Sequence, residues 1–257
     1  MVIIGAGRIG QALTARAEAR GVPVSLVSRD AGWEALEGPP GDPVLLAVRN
    51  ADLRAVVERV PEPRFDDLVF LQNGAIRELL AELGVARGTR GLLYFAVGSR
   101  VSDGGGEVIP GYTCPFHGPH AAAAARFFGQ VDLAAREVDW ARFSYFELEK
   151  LLWLACHGVL CEIHGVTVGE LVRDYRQDLH DLVAELLRVG RAAIGVDAPV
   201  DYVVDRLAGY SATIPTWPAA VKEWAWRNGW LVEQARRHGI ATPVHDHYLQ
   251  ALGHPKG

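Results

Sequence analysis

Met1-Val2-Ile3-Ile4-Gly5-Ala6-Gly7-Arg8-Ile9-Gly10-Gln11-Ala12-Leu13 opens the chain with a short apolar run, three glycines in Gly-x-Gly-x-x-Gly spacing and a helix-compatible segment. In a strand–turn–helix dinucleotide site each glycine has its own task. The first makes the tight turn, the second lets the backbone approach the pyrophosphate, and the third lets helix and strand pack closely. The free amides and positive end of the following helix then form the anion site. Gly5, Ala6, Gly7, Arg8, Ile9 and Gly10 are therefore expected to cradle a cofactor phosphate. Glycine makes up 28 of the 257 residues, so the strand before the turn and the helix after it carry as much weight as the glycines.

Beyond the turn, Ala12 to Arg20 continues helically to Gly21, a C-terminal cap, and Val22 to Val27 is a β-branched run expected as the second parallel strand. An acidic residue about 20 positions after the glycines would bind the ribose of NAD. Here Ser28-Arg29 stands there instead. A guanidinium suits a 2′-phosphate, so NADP is favoured over NAD, with Asp30 the complicating neighbour and an ordinary surface arginine the alternative.

Gly38 to Pro43 is a loop on its proline and glycine content. Val44 to Val48 is the next strand, delivering Arg49 and Asn50 at the carboxyl edge where open α/β sheets bind ligands. Asp52 to Val60 follows as a short helix, and Leu68 to Leu71 as a strand ending in Gln72-Asn73-Gly74. Asn73 is a binding candidate there, or simply a turn residue. Leu92 to Val97 reads as a further strand, Gly104-Gly105-Gly106 as a tight turn, and Glu107 to Ile109 as a returning strand. Repeated strand–helix units with polar strand ends describe a doubly wound parallel sheet of Rossmann type over residues 1–140.

From 141 to 257 the pattern becomes all-helical. Phe143 to His164, Val166 to Ile194 and Pro218 to His238 carry apolar residues at helical spacing, the last stopping at Gly239 with Pro243 beyond. With 49% apolar and 22% charged residues, the composition is that of an ordinary globular protein. A net charge of −5 gives no electrostatic reason to expect nucleic acid, and no polybasic run suits a membrane surface. No secretory signal is read at the N-terminus. Cys114, Cys156 and Cys161 are odd in number and lack zinc-like spacing, so a reduced cytoplasmic setting is expected, with no metal site.

Over nearly its whole length the chain resembles the ketopantoate reductase family. The matching residues are the glycine turn, Gln72-Asn73-Gly74, Glu149-Lys150-Leu151, Gly169-Glu170-Leu171, Asn228-Gly229 and His238 to Pro243. The resemblance implies NADP(H) as cofactor and Lys150 as the catalytic lysine, giving a proton or hydrogen bond to the substrate carbonyl oxygen as hydride arrives in the interdomain cleft. It implies Glu223 as the glutamate that binds the substrate hydroxyl and helps place the lysine. Ser211 would contact the substrate carboxylate, Asn73 would lie near nicotinamide and substrate, and Arg49 would stand where a cofactor-directed lysine is usual. The chemistry agrees, because negative charge develops on a carbonyl oxygen receiving hydride. Without the resemblance Lys150 would read as a solvated lysine, and Glu149 is expected at the surface.

The chain also departs from that family. Asparagines four and eight residues after the lysine, and one before the Gly-Glu-Leu turn, are replaced by Leu154, Gly158 and Val168. A pocket that recognises a polar acid through such groups loses that recognition with them. His157 and Cys161 occupy the same helical face, with His164 beyond. They form a buried core face, a pocket in which His157 binds substrate, or a metal site lacking a completed ligand set. Trp217 and Trp224 are candidate pocket walls around Glu223, while Trp226 and Trp230 share a helical face; His245-Asp246-His247 is expected at the surface. The expected function is reduction of a 2-oxo acid or related small-molecule carbonyl compound, with a homodimer entertained. The alternative is an NADP(H)-binding redox sensor or interaction protein without reductase activity.

Overall fold

The computed structural model describes residues 1–99, 101–103 and 105–255, and of Ser102 the backbone only. Gly104 of the expected glycine turn lies outside the described residues. The chain divides into two compact units, Met1–Phe143 and Ser144–Gly257.

The first unit is built on a seven-stranded sheet of order β2-β1-β3-β4-β5-β8-β9. Its strands are β1 (Val2–Ile4), β2 (Ser25–Val27), β3 (Val44–Leu46), β4 (Leu68–Phe70), β5 (Thr89–Gly91), β8 (Cys114–His117) and β9 (Ala135–Glu137). β1 to β5 pair in parallel, and β8 joins β5 antiparallel. β1, β3 and β4 are apolar at every position, as strands covered on both faces must be. Helices α1 (Arg8–Glu18), α2 (Leu53–Val57), α3 (Arg77–Glu82) and α4 (Ala121–Gln130) provide the connections. This is the Rossmann-type doubly wound arrangement, and its strand order reverses between β1 and β3, the point where such sheets take ligands.

The sheet differs from expectation after β4. The main sheet continues through Thr89-Arg90-Gly91, not through Leu92 to Val97. β6 (Phe95–Val97) and β7 (Val108–Pro110) instead pair with each other as a separate antiparallel ribbon. Thr89 to Gly91 lacks a run of large apolar residues because Gly91 makes room for a ring: a Cβ there would stand 2.2 Å from Phe116. β2 is also shorter than expected, beginning only after Pro23 and Val24.

The second unit is all-helical: the greater part of α5 (Trp140–His164), then α6 (Val168–Asp174), α7 (Arg176–Ile194), α8 (Val200–Thr213), α9 (Asn228–His238) and α10 (Pro243–Ala251). Along α5, Leu151, Leu152, Ala155, Cys156, Val159 and Leu160 are all buried. Among the described residues no single helix is long and apolar enough to cross a membrane.

Three departures have local causes. The expected helix Val166–Ile194 is two helices, broken at Tyr175 (φ −128°), and α6 has its own capping box from Thr167 and Glu170. Pro218 to His238 is not one helix: Trp224–Trp226 is a 3-10 turn and α9 begins only at Asn228, so Trp226 and Trp230 lie on different elements. Pro243 starts a helix instead of ending one, as proline at the first helical position can, because its missing N–H would be unpaired there anyway.

Candidate active site

The glycine turn follows β1 directly. Gly5 has φ +120°, and a Cβ there would stand 2.6 Å from the Ala47 carbonyl oxygen, so only glycine fits. At Gly10 a Cβ would lie 1.8 Å from the Gly5 carbonyl oxygen, so its absence lets α1 seat on β1. Gly7 is the opposite case: a Cβ there would meet nothing within 4 Å. That open space adjoins the first amides of α1, whose N-cap is Gly7, whose first turn holds no acidic residue, and which has no side-chain cap. The first amides of a helix have no intrahelical partner, and a helix start of this kind is the sort of place that suits an anion. Arg8, the first residue of α1, donates from Nη1 to the Gly98 carbonyl at 3.1 Å.

Arg29 follows β2 and is exposed. Its carbonyl accepts a 2.9 Å hydrogen bond from Arg59 Nη1, and the Arg59 guanidinium lies 3.8 Å over the ring of Trp33. Trp33 is itself fixed, its indole N–H donating to the Ser28 carbonyl at 2.8 Å. Arg59 is thus held beside Arg29 by a partner outside either strand. Sequence reading missed it, because nothing in the spacing links the end of α2 to the end of β2.

At the ends of β3 and β4, Gln72 donates to the Leu46 and Val48 carbonyls at 2.8 and 3.0 Å. Asn50 is 2% exposed and donates to the Asn73 carbonyl at 2.8 Å. Asn73 Oδ1 is buried without a partner, and Gly74 has φ +97°. An orphaned buried acceptor is costly, so it marks a place where a donor fits. Arg49 is exposed at the start of the same loop.

In the second unit Lys150 is 3% exposed. Its Nζ lies 4.2 Å from the ring centre of Tyr210 and 5.0 Å from that of Trp153. Three residues along α5, Trp153 meets Tyr210 edge-on at 4.9 Å and stacks on His157 at 4.9 Å. The Trp153 indole N–H donates to Ser211 Oγ at 3.0 Å, and Ser211 Oγ lies 2.9 Å from His157 Nε2. His157 and Ser211 are both 0% exposed. Burial pushes the His157 pKa down to about 3, so the ring is neutral at pH 7. Both side chains are enclosed: His157 Nδ1 lies 3.1 Å from the Trp153 carbonyl, and Ser211 Oγ lies 3.0 Å from the Leu207 carbonyl as well as against His157 and the Trp153 indole. Trp153 and Tyr210 were missed although Lys150 points to both, one three residues along the same helix and the other beside Ser211.

Glu223 sits at φ 49°, a left-handed conformation that costs a residue with a Cβ about 1–2 kcal/mol. Its carboxylate accepts from Arg227 at 2.5 Å. The stretch 214–223 has no helix or strand and lies against two small residues. A Cβ on Gly158 would be 3.0 Å from the Ala220 carbonyl oxygen, and Gly169 faces Pro215. Backbone bonds from Gly169 to Pro215 and from Val168 to Trp217 tie it down. Main chain thus fills the room left beside Gly158.

Glu149 is not at the surface: it is 2% exposed and accepts two hydrogen bonds from Arg206 at 2.9 and 3.0 Å. His245 is not at the surface either, being 0% exposed with Nε2 3.0 Å from Asn228 Oδ1. His164 pairs with Asp178 at 2.9 Å. Cys156 and Cys161 are buried and free, Cys161 with its pKa raised by burial to about 11. Among the described residues no group of three or more His, Cys, Asp or Glu is placed to hold a metal ion.

No family model and no curated protein sequence matches this chain. Its fold matches solved structures closely. D-mandelate dehydrogenase with NADH and anilino(oxo)acetate aligns with a TM-score of 0.77 at 18% identity, over 98% of this chain and 97% of that one. A dimeric ketopantoate reductase from Staphylococcus aureus aligns with a TM-score of 0.71 at 18% identity, over 98% of each chain. A 2-dehydropantoate 2-reductase from Geobacter metallireducens gives 0.71 at 20%, over 98% and 99%. At these identities the likeness establishes a shared fold.

Proposed function

We propose that this chain is an NADPH-dependent oxidoreductase that reduces a 2-oxo acid or a related carbonyl compound, with Lys150 as general acid and Glu223 as its partner. The observation that carries the proposal is the setting of Lys150, a lysine 3% exposed with its Nζ against the rings of Trp153 and Tyr210. Removing a cation from water is expensive, and a buried ionisable side chain on a helix that also carries a polar ring is a candidate for chemistry. Support for the cofactor comes from the open cradle at Gly7, the unpaired first amides of α1 and the orphaned Asn73 acceptor. The solved relatives in fold include one holding NADH together with anilino(oxo)acetate.

When bound, a reduced nicotinamide supplies the hydride. Gly5, Ala6, Gly7, Arg8, Ile9 and Gly10 would hold the pyrophosphate through main-chain amides. Asn73 would orient the nicotinamide end with its carboxamide, and Arg49 would meet the cofactor at the end of β3. Arg29, reinforced by Arg59, supports NADPH over NADH, since two guanidiniums suit a 2′-phosphate. Lys150 Nζ would donate to the substrate carbonyl oxygen and pass it a proton as negative charge builds. Glu223 would hold a substrate hydroxyl or orient the lysine, its strained backbone setting the carboxylate's direction.

The test follows NADPH absorbance with purified protein and a panel of 2-oxo acids, ketopantoate among them. Lys150→Ala is expected to lower turnover by about 10³-fold, as loss of a general acid does, with NADPH affinity unchanged. An equal loss of cofactor affinity would remove Lys150 from the reaction. Tight NADPH binding without reduction of any carbonyl compound would favour a redox sensor or interaction protein instead.

A further inference from the structure

We propose that Trp153 is a positioning residue for Lys150, and that Ser211 and His157 serve catalysis through Trp153 and make no contact with substrate. This rests on the reductase reading of Lys150 given above and goes beyond it in assigning a polar ring its task.

The ring closes on itself. His157 Nδ1 lies 3.1 Å from the Trp153 carbonyl oxygen, which only accepts, so Nδ1 carries the proton. Nε2 of the neutral imidazole is then bare and only accepts. Its neighbour at 2.9 Å is Ser211 Oγ, whose hydroxyl is the donor available to it. That oxygen in turn accepts from the Trp153 indole N–H at 3.0 Å. Indole to serine, serine to imidazole, imidazole back to the backbone of the same tryptophan: three donors and three acceptors close a cycle. The Ser211 hydroxyl also lies 3.0 Å from the Leu207 carbonyl, a second acceptor for its single proton. Ser211 and His157 are 0% exposed and Trp153 is 5% exposed, so the cycle is dry.

A cycle of this kind fixes the indole plane, and that plane lies against Lys150 Nζ, as does the ring of Tyr210, which meets Trp153 edge-on. A flexible four-carbon lysine stem is thereby confined at its charged end, which is what delivery of a proton to one oxygen requires. Residues 150, 153 and 157 fall on one face of α5, and Tyr210 and Ser211 are consecutive on α8, so two helices suffice to assemble the seat.

The test compares Trp153→Phe, Ser211→Ala and the double variant in steady-state kinetics, with Lys150→Ala as reference. Each single variant is expected to lower kcat about tenfold while KM for the 2-oxo acid stays within about twofold. The double variant is expected to fall no further than the worse single one, because both break the same cycle. The Trp153 indole N–H resonance, identified by its loss in Trp153→Phe, is expected to move and exchange faster in Ser211→Ala; this readout needs no activity. A KM raised tenfold in Ser211→Ala with kcat kept would mean that Ser211 touches substrate, and the proposal falls. Additive losses, or an unchanged kcat in Trp153→Phe, overturn it too. If the wild-type protein reduces neither a 2-oxo acid nor any related carbonyl compound, the reductase reading falls and takes the positioning role with it. If the wild type is active and Trp153→Phe matches it, only the positioning role falls.

Discussion

At the scale of single residues, two histidines are held neutral where water cannot reach them. Burial pushes the pKa of His157 down from 6.5 to about 3 and that of His245 to about 4. Between pH 4 and 6.5 the unfolded chain takes up protons at these positions and the folded chain does not. Folding stability is therefore lost as pH falls below about 6.5, and is fully present above it. At pH 5 each histidine accounts for about 2 kcal/mol of that loss, about 4 kcal/mol for the pair relative to neutral pH. Urea unfolding at pH 7 and pH 5 checks this, with His157→Gln expected to lose about half the pH dependence. A variant as acid-sensitive as the wild type would mean that His157 charges freely in the folded protein. Glu149 makes the complementary point. Its two bonds from Arg206 hold a carboxylate at 2% exposure, beside the residue proposed to do the chemistry.

Among elements, the glycine turn holds within six residues two glycines that packing requires and one, Gly7, that it does not. Ala is compatible with the backbone of Gly7 (φ −82°, ψ −170°), and a methyl there meets no protein atom. Gly7→Ala should leave thermal stability unchanged or raise it by up to about 1 kcal/mol, through the unfolded chain, while lowering NADPH affinity at least about tenfold. Gly10→Ala should do the reverse: its methyl strikes the Gly5 carbonyl, costing about 1–3 kcal/mol or more. Calorimetry and fluorescence titration on the pair distinguish the two roles, and equal effects on both would refute them. Thr167→Ala should cost about 1 kcal/mol through loss of the α6 cap. This helix also shows what the sequence could and could not tell. Gly169 and Glu170 looked like family motif residues, and the structure uses one to admit Pro215 and the other to cap α6. Gly229 likewise makes room for the Trp224 ring, and Asn228 meets His245. Motifs of this kind report architecture, so the fold was legible from them. Substrate-side chemistry was not, because the ring at Ser211 and the main chain beside Gly158 bring together residues about 50–60 positions apart with no local pattern. β5 escaped notice for a related reason: Gly91 is filled by a ring from β8, not by a side chain of its own.

For the molecule as a whole, net charge sets the problem that the cofactor end must solve. The chain carries −5, and NADPH is a polyanion, so attraction must come from local cations and dipoles. Arg29 and Arg59 are both exposed, and Arg59 donates to the Arg29 main-chain carbonyl at 2.9 Å while its guanidinium lies over Trp33. Asp30 lies beside them and works against an anion, which is why a single arginine would give little preference. A 2′-phosphate adds roughly two negative charges, and hydrogen bonds to a charged group contribute about 1.5–3 kcal/mol each. Two such arginines, discounted for exposure, should favour NADPH over NADH by about 10- to 100-fold at low salt. Exposed pairs are screened over about 10 Å at 0.1 M salt, so NADPH affinity should fall more steeply with ionic strength than NADH affinity. Arg29→Ala/Arg59→Ala should bring the two cofactors to similar affinity and similar salt slopes, leaving NADH binding close to wild type. Titrations of both cofactors at two ionic strengths read all three quantities. Equal affinities and parallel slopes in the wild-type protein would withdraw NADP while leaving the proposed dinucleotide at the glycine turn, since Gly7 and the first amides of α1 would meet the pyrophosphate that both cofactors share.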